Sequence, residues 1–162
     1  MEGGTELSED TYDRIDQQIG SLTCSRGESV CISENNKQIE RDEVAVFPVT
    51  VKNELPDELD FRVRVELARG HDRDNNMIYS SSDSNIGEHD HVLDSIKWLP
   101  DEDFFSLDPG ESNTLPILVS AEKDSIPGKY SFNVYFYTRD TGTTNWQDYP
   151  DERPNKFYLT VE

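Results

Sequence analysis

The stretch that decides the fold is Leu59–Arg69, with the sequence LDFRVRVELAR. Apolar side chains occupy every second position, namely Leu59, Phe61, Val63, Val65 and Leu67. The positions between them are charged, namely Asp60, Arg62, Arg64 and Glu66. Because a period of two places successive side chains on opposite faces of a β-strand, the stretch predicts a strand with one buried and one solvated face.

The same alternation recurs along the chain after residue 28. Lys129–Thr138 (KYSFNVYFYT) places Tyr130, Phe132, Val134 and Phe136 on one face. Further strands are predicted at Ser29–Ser33, Glu43–Lys52, 77–80, Val92–Leu99, Asn113–Ala121 and Lys156–Val161. Pro48 interrupts Glu43–Lys52 (EVAVFPVTVK), and since proline cannot donate to a ladder, this strand is predicted to lie at a sheet edge or to carry a bulge.

Two Pro-Gly turns separate the later strands. In Asp108-Pro109-Gly110-Glu111 the proline sets φ and the glycine permits a positive φ, and Ile126-Pro127-Gly128 is the second turn. Roughly seven to nine short strands divided by such turns, with little helix, predict an all-β antiparallel sandwich over residues 28–162.

Residues 1–27 follow a different pattern and form a predicted N-terminal extension. Ser8 is a good helix-capping residue, and a helix over 8–20 is predicted to end near Gly20. An apolar seam recurs at spacings of three, four and three, formed by Tyr12, Ile15, Ile19 and Leu22. So narrow a seam resembles a coiled-coil stripe and is a candidate oligomerisation surface.

The charge balance excludes several classes of partner. The 162 residues include 34 Asp and Glu against 15 Lys and Arg, for a net charge of −19. Nucleic acid and anionic lipid both require a basic surface, so neither is expected as a partner. No apolar run approaches the roughly 20 residues of a membrane span, and Met1-Glu2 opens no signal peptide. The acidic excess, which concentrated salt would screen, favours a protein from a halophile, and the alternative is an ordinary acidic domain from a mesophile.

One recurring motif links the two turns. Phe105–Ser112, the strand Leu115–Val119 and Asp124–Tyr130 resemble the "L-x-P-G-E-S, apolar strand, P-G-x-Y" signature of immunoglobulin-like modules in bacterial and archaeal surface proteins. Val49–Asn53 is similar to the V-x-V-x-N strand of those modules. The resemblance covers residues 43–162, with a long insertion at 70–91, and implies an immunoglobulin-like β-sandwich.

A helix joined directly to a sandwich is similar to the architecture of archaeal type IV pilin-like and archaellum-associated proteins. The hydrophobic segment that precedes their soluble domains is missing here, and no N-x-S/T glycosylation sequon is present. This resemblance implies an extracellular or cell-surface location, with protein partners or self-assembly at the surface.

These features favour a non-catalytic structural or adhesive domain of a cell-surface or pilus-like protein from a halophilic archaeon. The sequence contains no nucleophile elbow, P-loop or dinucleotide fingerprint, so we expect no enzyme activity. The alternative is a carbohydrate-binding module that stacks sugars on Trp146 and Tyr149 in the polar loop 139–154, if those rings are exposed rather than packed.

The two cysteines, Cys24 and Cys31, are close enough in sequence to form a disulfide, which would stabilise the fold by about 2.5 kcal/mol in an oxidising compartment. The competing explanation is two unrelated thiols.

One cation site is suggested by the run Asp72–Asn76. Asp72, Asp74 and Asn76 match the first ligands of an EF-hand loop, so calcium is the candidate cofactor. Met77 stands where that loop needs glycine and Asp83 where it needs glutamate, which favours a solvated acidic loop as the alternative. The histidines His71, His89 and His91 form either a three-histidine site or polar loop positions.

Overall fold

The alternating segments build two β-sheets that face each other. The computed structural model describes residues 29–32 and 34–162, and within them no helix is long and apolar enough to cross a lipid bilayer. Its elements in chain order are β1 (Val30–Ile32), β2 (Asn36–Ile39), β3 (Glu43–Lys52), β4 (Leu59–Asp72), β5 (Met77–Ser80), α1 (His89–Ser95), β6 (Ile96–Leu99), β7 (Glu102–Leu107), β8 (Ser112–Ala121), β9 (Gly128–Asp140), β10 (Gln147–Asp148) and β11 (Asn155–Val161). The predicted helix at 8–20 and the extension 1–27 lie outside the described residues.

The strand order is that of an immunoglobulin-like sandwich. One sheet has the order β1-β3-β8-β6, and the other has β2-β11-β9-β4-β5, with β7 paired to β4 and β10 paired to β9. The first order corresponds to strands ABED of the immunoglobulin fold, and β11-β9-β4 corresponds to GFC. The predicted sandwich is therefore confirmed, except that β2 pairs with β11 in parallel. Only the seven-stranded sheet is mixed, because the chain crosses into it from the four-stranded sheet between β1 and β2, whereas every pair in the four-stranded sheet is antiparallel.

The core lies between the sheets and contains the inward positions predicted from the alternation. In β4 the five apolar residues from Leu59 to Leu67 are all buried, as are Phe132 and its neighbours on β9. Phe157 of β11 connects the two layers, since its ring lies 4.2 Å from that of Phe47 and 4.8 Å from that of Phe132.

A tyrosine corner closes the connection between β8 and β9. Tyr130 is 1% exposed, and its hydroxyl donates a 2.5 Å hydrogen bond to the carbonyl oxygen of Ile126. A Cβ on Gly70 would lie 3.0 Å from the Tyr130 ring, and one on Gly128 would lie 1.9 Å from the carbonyl oxygen of His71. Packing thus explains the P-G-x-Y motif. The glycine leaves room for the backbone of β4, and the tyrosine hydroxyl donates to a carbonyl oxygen four residues upstream, as it does at this corner of immunoglobulin-like domains.

The first Pro-Gly turn also has the predicted geometry. Gly110 has a φ of 80°, and the Glu111 N–H donates to the carbonyl oxygen of Asp108 at 2.9 Å. Such a φ strains any residue with a side chain, which is why glycine occupies the position.

The prediction of a strand over the whole of Val92–Leu99 is wrong. His89–Ser95 is a helix, and only Ile96–Leu99 forms a strand. Val92 and Ile96 are both buried at a spacing of four, which suits the inner side of a helical turn as well as it suits a strand. The helix carries the chain from β5 in one sheet to β6 in the other.

Pro48 does not place its strand at a sheet edge, because β3 lies between β1 and β8. Pro48 faces Pro116 across β3 and β8, where the ladder has no bulge. The short β1 reaches only Val49–Val51 on one side, and β6 reaches only Leu118–Ala121 on the other. Neither proline therefore has a paired residue on the side away from the other proline. Between β3 and β8 the two prolines face each other at a position of the ladder where neither strand has to donate an N–H.

Candidate functional site

The outward face of the seven-stranded sheet carries a strip of arginines and aromatic rings. Antiparallel pairing of β4 with β9 sets Arg62 opposite Tyr137 and Arg64 opposite Tyr135, while Asp60 lies opposite Arg139. Directly paired residues share a face of the sheet, so their side chains are neighbours. The loop before β10 adds Trp146 to the group.

The guanidinium groups lie over the rings. The Arg62 guanidinium carbon is 4.5 Å from the centre of the Tyr137 ring and 5.1 Å from that of Trp146. Arg139 lies 4.3 Å from the Trp146 ring, and Arg64 lies 4.7 Å from the Tyr135 ring. Each contact is within the range of a cation–π interaction. We call these six residues the arginine–aromatic strip.

The charges of the strip are unequally compensated. Arg139 Nε is 3.2 Å from Asp60 Oδ2, and Arg64 Nη1 is 3.4 Å from Glu66 Oε2. Arg62 pairs with no carboxylate of the described residues, and its buried Nε has no hydrogen-bond acceptor there. The strip thus presents one guanidinium that is positioned by rings and not by an acid.

A hydrogen-bond network continues from the strip to a polar groove. Glu66 Oε1 accepts from the Tyr135 hydroxyl at 3.0 Å and from Asn133 Nδ2 at 3.4 Å, and Lys156 Nζ donates to Asn133 Oδ1 at 2.8 Å. Burial, followed by the hydrogen bond to Glu66, raises the pKa of Tyr135, so its hydroxyl stays protonated to a higher pH than that of an ordinary tyrosine.

The groove has a volume of about 500 Å³, and hydroxyl, amide and cationic side chains dominate its lining. It is lined by Ala68, Arg69, Ser80, Ser81, Ser82, Ser131, Asn133, Lys156 and Tyr158. A bulge in β4, where the register with β9 shifts between Leu67 and Arg69, brings Arg69 opposite Ser131 at this position. The groove therefore offers several hydrogen-bonding groups beside the Tyr158 side chain, which is 42% exposed.

Trp146 and Tyr149, the predicted sugar-stacking pair, have separate environments. Trp146 is half-buried under the two guanidiniums and lies 6.0 Å from the ring of Phe104. Tyr149 is 6% exposed, packs edge-on to Phe61 at 5.0 Å and donates its hydroxyl to the Lys52 carbonyl oxygen. The expectation that Tyr149 is an exposed ligand-binding residue is therefore wrong, because its ring completes the core.

The candidate calcium residues occupy the loop between β4 and β5. Asp72 Oδ1 accepts hydrogen bonds from the backbone N–H groups of Asp74 at 3.0 Å and Asn76 at 2.9 Å. The hydrogen bond from Asn76 is the main reason why the pKa of Asp72 is lowered. Among residues 29–32 and 34–162, no three His, Cys, Asp or Glu side chains are grouped to hold a metal ion. Calcium binding by Asp72, Asp74 and Asn76 stays a prediction, and the loop geometry gives Asp72 a structural role.

Each of the three histidines contacts a different partner. The His89 ring stacks on Tyr79 with centres 4.8 Å apart, whereas His91 Nε2 is 2.8 Å from the Asp124 carbonyl oxygen. His71 lies in β4, paired with Lys129.

Cys31 is in β1 and is disulfide-bonded. The other residues predicted as sites, Cys24 and the seam of Tyr12, Ile15, Ile19 and Leu22, lie outside the described residues.

The strip itself was not predicted as a site. The alternation placed Arg62 and Arg64 on the solvated side of their strand, and the same reasoning places Tyr135, Tyr137 and Arg139 opposite the apolar positions of β9. Only the pairing of β4 with β9 shows that the two sets are neighbours.

The chain matches no protein-family model and no curated protein. Among solved structures, it is similar to the ASH or PapD-like domain 7 of human CEP192, with 9% identity and a TM-score of 0.47, over 88% of this chain and 89% of that one. A FixG-related protein from Vibrio parahaemolyticus shows 14% identity and a TM-score of 0.40, over 80% and 91% of the two chains. The CsuC–CsuE chaperone–tip adhesion subunit complex from Csu pili of Acinetobacter baumannii shows 14% identity and a TM-score of 0.35, over 83% and 51%. The immunoglobulin-like assignment follows from the strand order and the Tyr130 corner, independently of these similarities.

Proposed function

We propose that the chain is a non-catalytic structural or adhesive domain that associates with acidic protein surfaces through the arginine–aromatic strip. The observation that carries the proposal is Arg62, whose guanidinium is held between Tyr137 and Trp146 while no carboxylate of the described chain pairs with it. Arg, Tyr and Trp are the residues that most often dominate the energy of protein interfaces. A carboxylate on a partner would complete the site.

A second copy of the chain is the partner that we propose. The chain has 34 acidic residues, so the surface of another copy offers carboxylates in abundance. A strip that meets a different patch on the next copy makes a head-to-tail contact, which is the geometry that builds filaments and rings. The disulfide-bonded Cys31 supports an extracellular or cell-surface location, since disulfides persist in oxidising compartments. A halophilic archaeal source remains part of the proposal and is supported by the net charge of −19.

Sedimentation velocity over a dilution series tests this function. At about 0.15 M ionic strength, where the Debye length is about 8 Å, long-range repulsion is screened and we expect association that weakens on dilution. Arg62→Glu should abolish the association. Arg41→Glu, an equal charge change at an exposed position before β3, is the matched control and should preserve it. A chain that is monomeric at every concentration, or one that associates equally well with Arg62→Glu, would refute the proposal.

The groove favours carbohydrate binding as the second candidate function. Its hydroxyl, amide and cationic groups can form hydrogen bonds with sugar hydroxyls, and the exposed Tyr158 ring beside them can stack on a sugar ring. A glycan array on the full chain tests this, and binding that is lost in Tyr158→Ala and retained in Arg62→Glu would favour this candidate over self-association.

A further inference from the structure

The polar groove is shaped by three residues in one row across the seven-stranded sheet. Ser131 of β9 is paired with Arg69 of β4 on one side and with Tyr158 of β11 on the other. The serine is short and its two neighbours are long, so Ser131 forms the floor and the two neighbours form walls. Since adjacent strands are about 4.8 Å apart, the backbones of the two walls are about 10 Å apart.

The groove is surrounded by positive charge. Arg69 and Lys156 are exposed and line it, and the exposed Lys129 lies in the next row of the same sheet face, two residues from Ser131. Within the described part of the chain, none of these three cations is paired with a carboxylate. Among the described residues that line the groove, none is Asp or Glu. In a chain with a net charge of −19, this part of the surface therefore favours an anion.

Glu66 reaches the groove through a hydrogen-bond network, but it does not neutralise these cations. Its Oε2 is 3.4 Å from Arg64 Nη1, and its Oε1 accepts from the Tyr135 hydroxyl and from Asn133 Nδ2. Asn133 lies between Glu66 and Lys156, and its Oδ1 accepts from Lys156 Nζ at 2.8 Å. A neutral amide thus holds Lys156 at the groove. Because an ammonium group has three donors, two of them stay available to a ligand.

The uncharged groups of the groove suit a ligand that carries hydroxyls. Ser80 is paired with Arg69 and extends the row, and its Oγ is 3.0 Å from Ser82 Oγ. A serine hydroxyl both donates and accepts, as a sugar hydroxyl does. The Tyr158 side chain is 42% exposed and offers the face of its ring. These groups fit a sugar, and the cations beside them select a sugar with a negative charge.

We infer that the groove binds an acidic sugar, whose carboxylate contacts Arg69 and Lys156 and whose ring stacks on Tyr158. The inference rests on carbohydrate binding, the second candidate function, and specifies the class of sugar. A guanidinium presents a planar fork that matches the two oxygens of a carboxylate, so Arg69 orients the sugar while Lys156 adds charge. A neutral sugar leaves both cations without a partner and binds more weakly.

Isothermal titration calorimetry of the full chain at about 0.15 M ionic strength tests the inference. The probes are the trisaccharides of galacturonate, mannuronate and glucuronate, each compared with its own methyl ester, which keeps the sugar and removes the charge. We expect at least one of the three acids to bind more than about 10-fold more tightly than its ester, because the ester offers no charged acceptor.

Substitutions in the groove should act on that acid alone. Arg69→Gln and Lys156→Gln should each weaken its binding by about 10- to 100-fold and leave binding of the ester nearly unchanged. Lys97→Gln removes the same charge from the outward face of the other sheet and should leave both affinities unchanged. All three positions are exposed, so an unchanged Tm shows that each variant is folded.

The possible failures are distinguishable. Equal binding of acids and esters would overturn this inference and leave carbohydrate binding in place, whereas binding of no trisaccharide would overturn both. Acid binding that survives the combined Arg69→Gln and Lys156→Gln substitutions would also overturn the inference. Triglutamate tests an acidic peptide as the ligand. If it binds as tightly as the best trisaccharide and is unaffected by Tyr158→Ala, the groove recognises charge without the sugar, which would overturn the inference as well.

Discussion

Replacing Tyr130 with phenylalanine tests whether the tyrosine corner stabilises the fold. The substitution keeps the ring against Gly70 and removes only the hydroxyl that bonds to the Ile126 carbonyl oxygen at 2.5 Å. Loss of a buried hydrogen bond that leaves its acceptor unsatisfied costs about 1–3 kcal/mol, which for a domain of this size lowers the Tm by roughly 3–10 °C. Urea unfolding measures the loss directly, with an unchanged m-value as the sign that the unfolded state is unaffected.

The matched control is Tyr135→Phe, which removes a hydroxyl from the half-buried outer face and should cost less than about 1 kcal/mol. Both variants should weaken the loss of stability in alkali, and Tyr130→Phe should do so more strongly because Tyr130 is the more buried residue. Burial raises the pKa of Tyr130, so the unfolded chain ionises first and the stability present below about pH 10 is lost as pH rises through the folded pKa. Tyr130→Phe should weaken this alkaline loss. A Tyr130→Phe variant with the wild-type urea midpoint and the wild-type alkaline profile would refute the reasoning.

Three further outcomes are expected. Gly128→Ala should destabilise the domain by about 3 kcal/mol or more, because its Cβ would lie 1.9 Å from the His71 carbonyl oxygen, whereas Gly87→Ala meets nothing within 4 Å and should be neutral in urea unfolding. The Tm should rise from about 0.05 M to about 2 M KCl, because screening weakens carboxylate repulsion, and a flat Tm by calorimetry would contradict this. NMR titration should give Asp72 a pKa below its usual value of about 3.9, so the stability that it contributes is present above that value and is lost as pH falls through the folded pKa; an ordinary pKa would contradict the loop hydrogen bonds.

The local pattern of the sequence was enough to predict most strands. Where apolar and polar residues alternate over many positions, as in Leu59–Leu67, the period of two has no helical equivalent, and the buried face was predicted correctly. The segment from Val92 to Leu99 was ambiguous because it is short, and two or three apolar residues fit the period of a helix as well as that of a strand. Gly110 was predicted as a turn residue from local chemistry alone, since a positive φ favours glycine. Gly128, also predicted in a turn, is instead the first residue of β9, where the close approach of the His71 carbonyl oxygen leaves no room for a side chain.

The sequence by itself therefore determined most of the strands, the first Pro-Gly turn, the acidic excess and, through its motif, the immunoglobulin-like class. Tertiary structure alone decided which strands are neighbours, since pairing is a contact between distant segments that no local period encodes. That pairing sets Arg62 beside Tyr137 and Trp146, moves Tyr149 into the core against Phe61, and sets Pro48 against Pro116 inside a sheet. The candidate site lies on the solvated face, and the alternation of apolar residues identifies only the buried positions. The residues of the site become neighbours only when β4 pairs with β9.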